Sequence, residues 1–292
     1  MLAASSTAAA VWLSAAGGWL PWAVGQLILA AALVVWFSIL HECGHRTLFR
    51  SRASNTLVGL TAGFLTLIPF RTWVRVHGRH HKWTGWQDLD PTTESLVPRP
   101  LTRVERLAIN ICWRCWIPLF STIYRVENFW SPRRLSALFP RRSDRRAMRG
   151  NALIQLALYA ALVVAVGPSA LLRVVGVAII LSFIAEDLLL LSQHTHVPQN
   201  VSHGVHVAPV PAVEQEMFTR SLRLPAWISA SLLHVDAHEL HHMFPFVPGY
   251  HLHRIAYRPA HEVGWWTWVR SSKRLEGVVL LFQNRRHTGF PH

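Results

Sequence analysis

Acidic residues are scarce in this chain. Only 15 of its 292 residues are Asp or Glu, against 29 Lys and Arg, which leaves a formal net charge of +14. Charged residues of both signs reach just 15%, hydrophobic residues reach 51%, and the mean hydropathy is +0.24. So little charge argues against an ordinary soluble domain. The basic excess would suit a nucleic-acid binder. A membrane protein with basic loops on the inner side shows the same balance with fewer assumptions, and no nucleic-acid partner is expected. Cysteine is scarce too. Cys43, Cys112 and Cys115 are too few, and odd in number, for a disulfide framework. Cys112-Trp-Arg-Cys115 is formally C-x-x-C, but no second pair completes a zinc site, and packing is the simpler role. Linkers, internal repeats and low-complexity stretches are lacking, so one domain over 1–292 is expected. The first eight residues hold no Lys or Arg, and a secretory leader is not expected.

What the chain does have is long apolar runs. Residues 4–40 are almost continuously apolar, interrupted at Gly17-Gly18 and Pro21. That is too long for one crossing of about 20 residues and enough for a tight hairpin. The 56–70 run is too short to span and is flanked by Arg46, Arg50 and Arg52 on one side and Arg71 and Arg75 on the other. Equal basic flanks predict a re-entrant or interfacial helix, and 107–123 also reads as interfacial. After a basic run from Arg133 to Arg149, residues 151–166 and 170–192 form a second apolar pair joined at Gly167-Pro168. The expected fold is therefore an all-α, multi-pass integral membrane protein. It has about four transmembrane helices plus interfacial helices.

Histidines cluster where these runs end. The clusters are His41-x-x-x-His45, His77-x-x-His80-His81 and His238-x-x-His241-His242. Residues three and four apart share a helix face, so each cluster presents its imidazoles together. Adjacent histidines point about 100° apart around a helix and can serve two different ions. Eight imidazoles are too many for one tetrahedral zinc and suit a pair of metals. The charge pattern brings all three clusters, and Gln193-His194-Thr195-His196, to one membrane face. His251, His253, His261, His287 and His292 read as ordinary core or surface residues.

His41-Glu42-Cys43-Gly44-His45 and His238-Glu239-Leu240-His241-His242 each contain H-E-x-x-H, in which two imidazoles hold zinc and the Glu activates water. A membrane zinc hydrolase needs only one such motif and leaves the doubled histidines unexplained. A non-enzymatic metal- or lipid-binding protein is the remaining non-redox reading. An imidazole-rich site with open positions suits iron and oxygen activation, because zinc does no redox work. Such a site can attack an unactivated alkyl C–H bond, and a membrane supplies the acyl chain.

The boxes resemble those of membrane fatty acid desaturases, especially plant and cyanobacterial acyl-lipid enzymes. His-Glu-Cys-Gly-His at 41–45 is similar to their first box. The stretch from Asn55 through Pro69-Phe70 to His77-Gly78-Arg79-His80-His81 is similar to their approach to the second. Gln193-His194-Thr195-His196 resembles the end of their last transmembrane helix. Asp236 through Pro245, with Pro248 and Tyr250, resembles the third box and its sequel. The likeness implies four transmembrane helices under a cytosolic helical cap that holds two irons. It implies dioxygen as co-substrate, and zinc is expected to replace iron readily on purification. His41, His45, His77, His80, His81, His238, His241 and His242 would be ligands, with His196 favoured over His194 as a ninth. Asp236 would orient a ligand ring, and Asp88 and Asp90 are candidates for the same task.

Glu186 and Asp187 depart from the pattern. They sit inside an apolar helix, where ionisable groups are costly and often functional. Asp187 lies seven residues before His194 and is expected to face the metal chamber, with pairing to Arg173 as the plain alternative for these acids. The chain is short for the family, and no fused haem-cytochrome domain is expected. A separate electron donor is thus expected, either a ferredoxin or a b-type haem cytochrome with its reductase. The expected activity is desaturation of a lipid acyl chain. The alternative is a lipid or carotenoid hydroxylase, ketolase or oxidative decarboxylase on the same scaffold. The expected setting is a bacterial inner membrane or the endoplasmic reticulum, with the metals on the cytoplasmic face.

Overall fold

The apolar runs fold as helices, and their lengths decide which of them can cross a bilayer. The computed structural model describes residues 1–282 in two units, one formed by Met1–Val74 and Arg125–Glu186 and the other by Arg75–Tyr124 and Asp187 onward. His287 and His292, read above as ordinary histidines, lie outside the described residues.

The first unit begins with a hairpin, α1 (Leu2–Ala15) and α2 (Trp19–His45), turned at Gly17-Gly18. Gly18 sits at φ 94°, where a side chain would be strained. At ~1.5 Å per residue α1 is only about 21 Å long, short of the ~30 Å hydrocarbon core. The hairpin is present as expected, but only its second arm is long enough to cross. α3 (Arg52–Leu65) is capped by Ser51, whose side chain accepts from the Ser54 N–H. Pro69 then opens α4 (Phe70–Trp83), and the α3–α4 pair is bent by 97°. α6 (Leu119–Arg125) and α7 (Pro132–Leu138) lead to α8 (Arg142–Val166). α9 (Pro168–Leu171) and α10 (Val177–His194) run on through a π-helical turn as one helical stretch, Pro168–His194. Among the described residues three helices are long and apolar enough to cross a membrane: α2, α8 and the α9–α10 stretch. The bent α3–α4 pair makes a fourth if counted as one broken span.

Several polar side chains inside this unit are paired between helices. Gln26 donates to Ser14 Oγ and the Val174 carbonyl at 2.9 and 2.7 Å and accepts from the Ala178 N–H at 2.9 Å. Gln155 and Tyr159 donate to the carbonyls of Gly63 and Phe64. Each bond ties one helix to another where no water could substitute.

The second unit is built of short elements, among them α5 (Arg103–Arg114), α11 (Ala226–Ser231), α12 (His238–Met243) and α13 (Gly249–Leu252). α14 (Trp265–Ser272) and α15 (Gly277–Leu281) follow. The described sheet has two parallel strands of two residues each: β1 (Leu222–Arg223) against β2 (Val263–Gly264). α5 opens with a capping box in which Thr102 and Glu105 satisfy each other's backbone N–H. Its Val104, Leu107 and Ile111 stay exposed at helical spacing, the pattern of a helix lying on a membrane surface. Cys115 is exposed and Cys112 half-buried, while Trp113 between them packs in the interior; packing was the wrong expectation for Cys115.

Candidate metal centre

α4 and α12 carry the same i, i+3, i+4 histidine pattern, and the second unit brings both together with the end of α10. His80, His194, His238 and His242, all buried, form one group that could hold a metal ion. Their Nε2 atoms meet at 3.3 Å (His80–His242), 3.1 Å (His242–His238) and 2.9 Å (His238–His194). Beside it, His81 Nε2 stands 3.1 Å from both His77 Nε2 and His241 Nε2. Each adjacent pair is thereby divided: His80 and His242 serve the first group, and His81 and His241 the second. In the first unit His41 and His45 lie one turn apart near the end of α2, with ring centroids 4.9 Å apart.

For two of the four rings in the first group, His80 and His242, hydrogen bonds assign a proton to Nδ1. Asp90 Oδ2 lies 2.8 Å from His80 Nδ1, and a carboxylate only accepts, so Nδ1 carries the proton and Nε2 presents a lone pair. Asp90 is itself held by the Thr92 N–H at 2.8 Å. Gln215 donates through Nε2 to the carbonyls of His81 and Val210, which leaves Oε1 to accept from His242 Nδ1 at 3.0 Å. His242 therefore also turns a bare lone pair inward. Burial and the neighbouring imidazoles His81, His238, His80 and His194 hold its pKa well below the usual 6.5, so it stays neutral. Facing lone pairs repel. One proton serves one contact at a time, whereas one metal ion satisfies all four nitrogens. Ligands ~2.1 Å from an ion lie roughly 3.0–3.4 Å apart, close to the spacing found here. The donor set fits a metal.

Several expectations need correction. His194, not His196, joins the group. α10 stays helical through His194, and the chain then turns at His196, whose φ is 53°. Arg220 holds that turn by donating to the carbonyls of Ser192, Thr195 and His196 at 2.7, 2.9 and 2.9 Å. Burial pulls the Arg220 pKa down to about 10. Asp236 is engaged by Ser229 Oγ at 2.8 Å rather than by a box imidazole, and burial raises its pKa. Asp88 ties Ser202 at 2.5 Å, leaving Asp90 as the orienting carboxylate. Glu186 forms a buried ion pair with Arg125, not Arg173, and Asp187 accepts from the Ser121 N–H at 2.5 Å. The two glutamates of the H-E-x-x-H motifs are occupied. Glu239 accepts from the N–H groups of Ser221 and His261, and Glu42 from Thr47 Oγ1. Neither is placed as a hydrolytic base. Gln215, Arg220 and Arg125 had no sequence signal, because each acts through partners in distant or irregular segments.

Among the described residues, helices long and apolar enough to cross a membrane stand together with two groups of imidazoles that could hold metal ions. The sequence profile described as fatty acid desaturase matches residues 17–269, and the chain belongs to the fatty acid desaturase family. It is 27% identical over 253 residues to a probable fatty acid desaturase of Sorghum bicolor, covering 82% of this chain and 63% of that protein. It is 27% identical over 232 residues to a fatty acid desaturase of Bacillus subtilis, covering 77% and 64%. A shorter match, 32% over 87 residues, links it to an sn-1 oleoyl-lipid 12-desaturase of Anabaena variabilis, covering 30% and 25%. The chain thus spans less than two thirds of the length of these relatives.

Proposed function

We propose that this chain is a dioxygen-dependent, di-iron fatty acyl desaturase that introduces a carbon–carbon double bond into a lipid acyl chain. The observation that carries the reading is the pair of opposed lone pairs on His80 and His242, each enforced by a fixed partner on the far side of the ring. His80, His194, His238 and His242 would hold one iron. His77, His81 and His241 would hold the other, with His41 and His45 added by their likeness to the family's first box. Bound irons would supply the dioxygen activation and hydrogen abstraction that no side chain can perform. Asp90 and Gln215 keep two rings in one tautomer and orientation, which matters because a coordinating imidazole must stay neutral. Arg220 holds the end of α10 so that His194 keeps its place.

The family match runs through both units, which supports reading 1–292 as one desaturase-like domain. A relative named as an sn-1 oleoyl-lipid 12-desaturase supports a lipid acyl chain as the substrate class. The electron donor would be separate, a ferredoxin or b-type haem cytochrome with its reductase. The metal site would face the cytoplasm. Expression in a host of known lipid composition, with a competent donor, should yield new double bonds by gas chromatography with mass spectrometry. No new unsaturation with several acyl carriers would sink the reading. A product that takes up oxygen from isotopically labelled dioxygen would move it to the hydroxylase class.

A further inference from the structure

The first unit carries a second candidate site, unrelated to the histidines. Arg142, Arg145, Arg146, Arg149, Gly150 and Leu153 border a shallow, open cleft of about 460 Å³ along one face of α8. Their spacing puts all six on one stripe of the helix, and Asp144 lies on the opposite side at ~100° per residue. Arg142, Arg146 and Arg149 form no ion pair among the described residues. Arg145 donates to the Phe139 carbonyl at 3.2 Å, which holds its guanidinium at the cleft. A Cβ at Gly150 would meet nothing within 4 Å, so the cleft floor is open there. Arg145 and Arg149 also border a neighbouring smaller cavity lined by Phe129, Trp130, Leu135 and Met148.

We infer that this cleft binds the phosphodiester headgroup of an anionic phospholipid. Position selects that ligand over an acidic protein or a nucleic acid. The stripe runs directly into the apolar part of α8, where Leu153, Ile154, Leu156 and Leu158 are exposed and only 11% of the spanning window is buried. From Arg142 to Arg149 the helix rises about 10 Å, comparable with the ~5–7 Å headgroup layer on each side of a bilayer. The arginines thus sit at the depth of lipid phosphates, and guanidinium forks suit phosphate oxygens. The adjoining cavity offers apolar side chains to the glycerol and first methylenes. A basic recess beside a spanning helix is a physical match for an anionic headgroup.

The inference is independent of the proposed chemistry, and its readout is bound lipid rather than turnover. Full-length protein in neutral detergent, mixed with dioleoyl phosphatidylglycerol and dioleoyl phosphatidylcholine, should retain the anionic lipid preferentially by native mass spectrometry. Arg145→Gln with Arg149→Gln should weaken that retention about thirtyfold, at roughly fivefold per arginine. Gly150→Leu keeps every charge and the helix while filling the cleft, and it should weaken retention as well. Equal retention of the two lipids, or a preference that survives both variants, overturns the site. Displacement of the lipid by millimolar inorganic phosphate would reassign the cleft to a soluble phosphate.

Discussion

Both units hold buried polar side chains paired within the chain, but the second also holds a set of like groups that face one another. In the first, the buried groups that join helices meet their complements. Arg125 pairs with Glu186, donates from Nε to the Thr66 carbonyl and lies 3.9 Å over the Phe183 ring, while Gln26 both donates and accepts between helices. In the second, His80 and His242 turn the same kind of atom toward each other because their Nδ1–H groups already donate to Asp90 and Gln215. A buried polar group that is complete within the chain is architecture. A set of like groups held facing one another could hold a cation. The same test sorts the acids: Glu186, in an apolar helix, is architecture, and Asp90 serves the site.

The largest effect should come from breaking the second kind of burial. His80→Ala or His242→Ala is expected to abolish iron retention and activity together, measured by elemental analysis and product assay; full turnover in either variant would refute the ligand assignment. Breaking the first kind should leave the metal and cost the fold. Glu186→Ala strands a buried guanidinium and should lower stability by about 3–5 kcal/mol in thermal unfolding, and Arg125→Met with Glu186→Leu should recover most of it. Normal stability in the single variant would show that the pair is dispensable.

An intermediate effect should follow from removing an orienting partner while keeping every ligand. Asp90→Asn or Gln215→Ala should weaken metal affinity about 10–100-fold in chelator competition, with the protein still folded. Acid acts on the same contrast. The His242 pKa is lowered from 6.5 in the folded chain, so between that lowered value and 6.5 the unfolded chain binds more protons. Stability of the metal-free protein should be full above about pH 6.5 and fall as pH drops below it. A flat profile in denaturant titrations from pH 7 to 5 would contradict a buried neutral ring. The smallest effect lies outside both regions: Thr102→Ala removes the α5 capping box and should cost about 1 kcal/mol without touching metal content.

Legibility in the sequence followed the range of the interactions. The i, i+3, i+4 spacing in α4 and α12 is local, so the division of His80 from His81 and of His241 from His242 could be read directly. The spanning lengths of α2, α8 and the α9–α10 stretch were equally local. The choice between His194 and His196 depended on where α10 ends, and no glycine or proline falls between those residues to mark it. The carbonyl clamp that sets the end comes from Arg220, 24 residues beyond His196. Arg125 and Glu186 are 61 residues apart, and Gln215 reaches His242 from a short 3-10 helix, Ala212–Phe218, 27 residues earlier in the chain. Such pairings are decided by tertiary packing, which spacing does not encode.

The division of neighbouring histidines has a consequence for how the protein is charged with metal. His80 and His81 share one stretch of backbone, as do His241 and His242, so an ion that settles one member of each pair also steadies the other. On the proposed reading the first ion lowers the ordering entropy that the second must overcome, and the two load cooperatively. Apo protein titrated with ferrous iron would then pass from empty to doubly filled with little of the singly filled form between. Assembly of the centre becomes close to an all-or-none event.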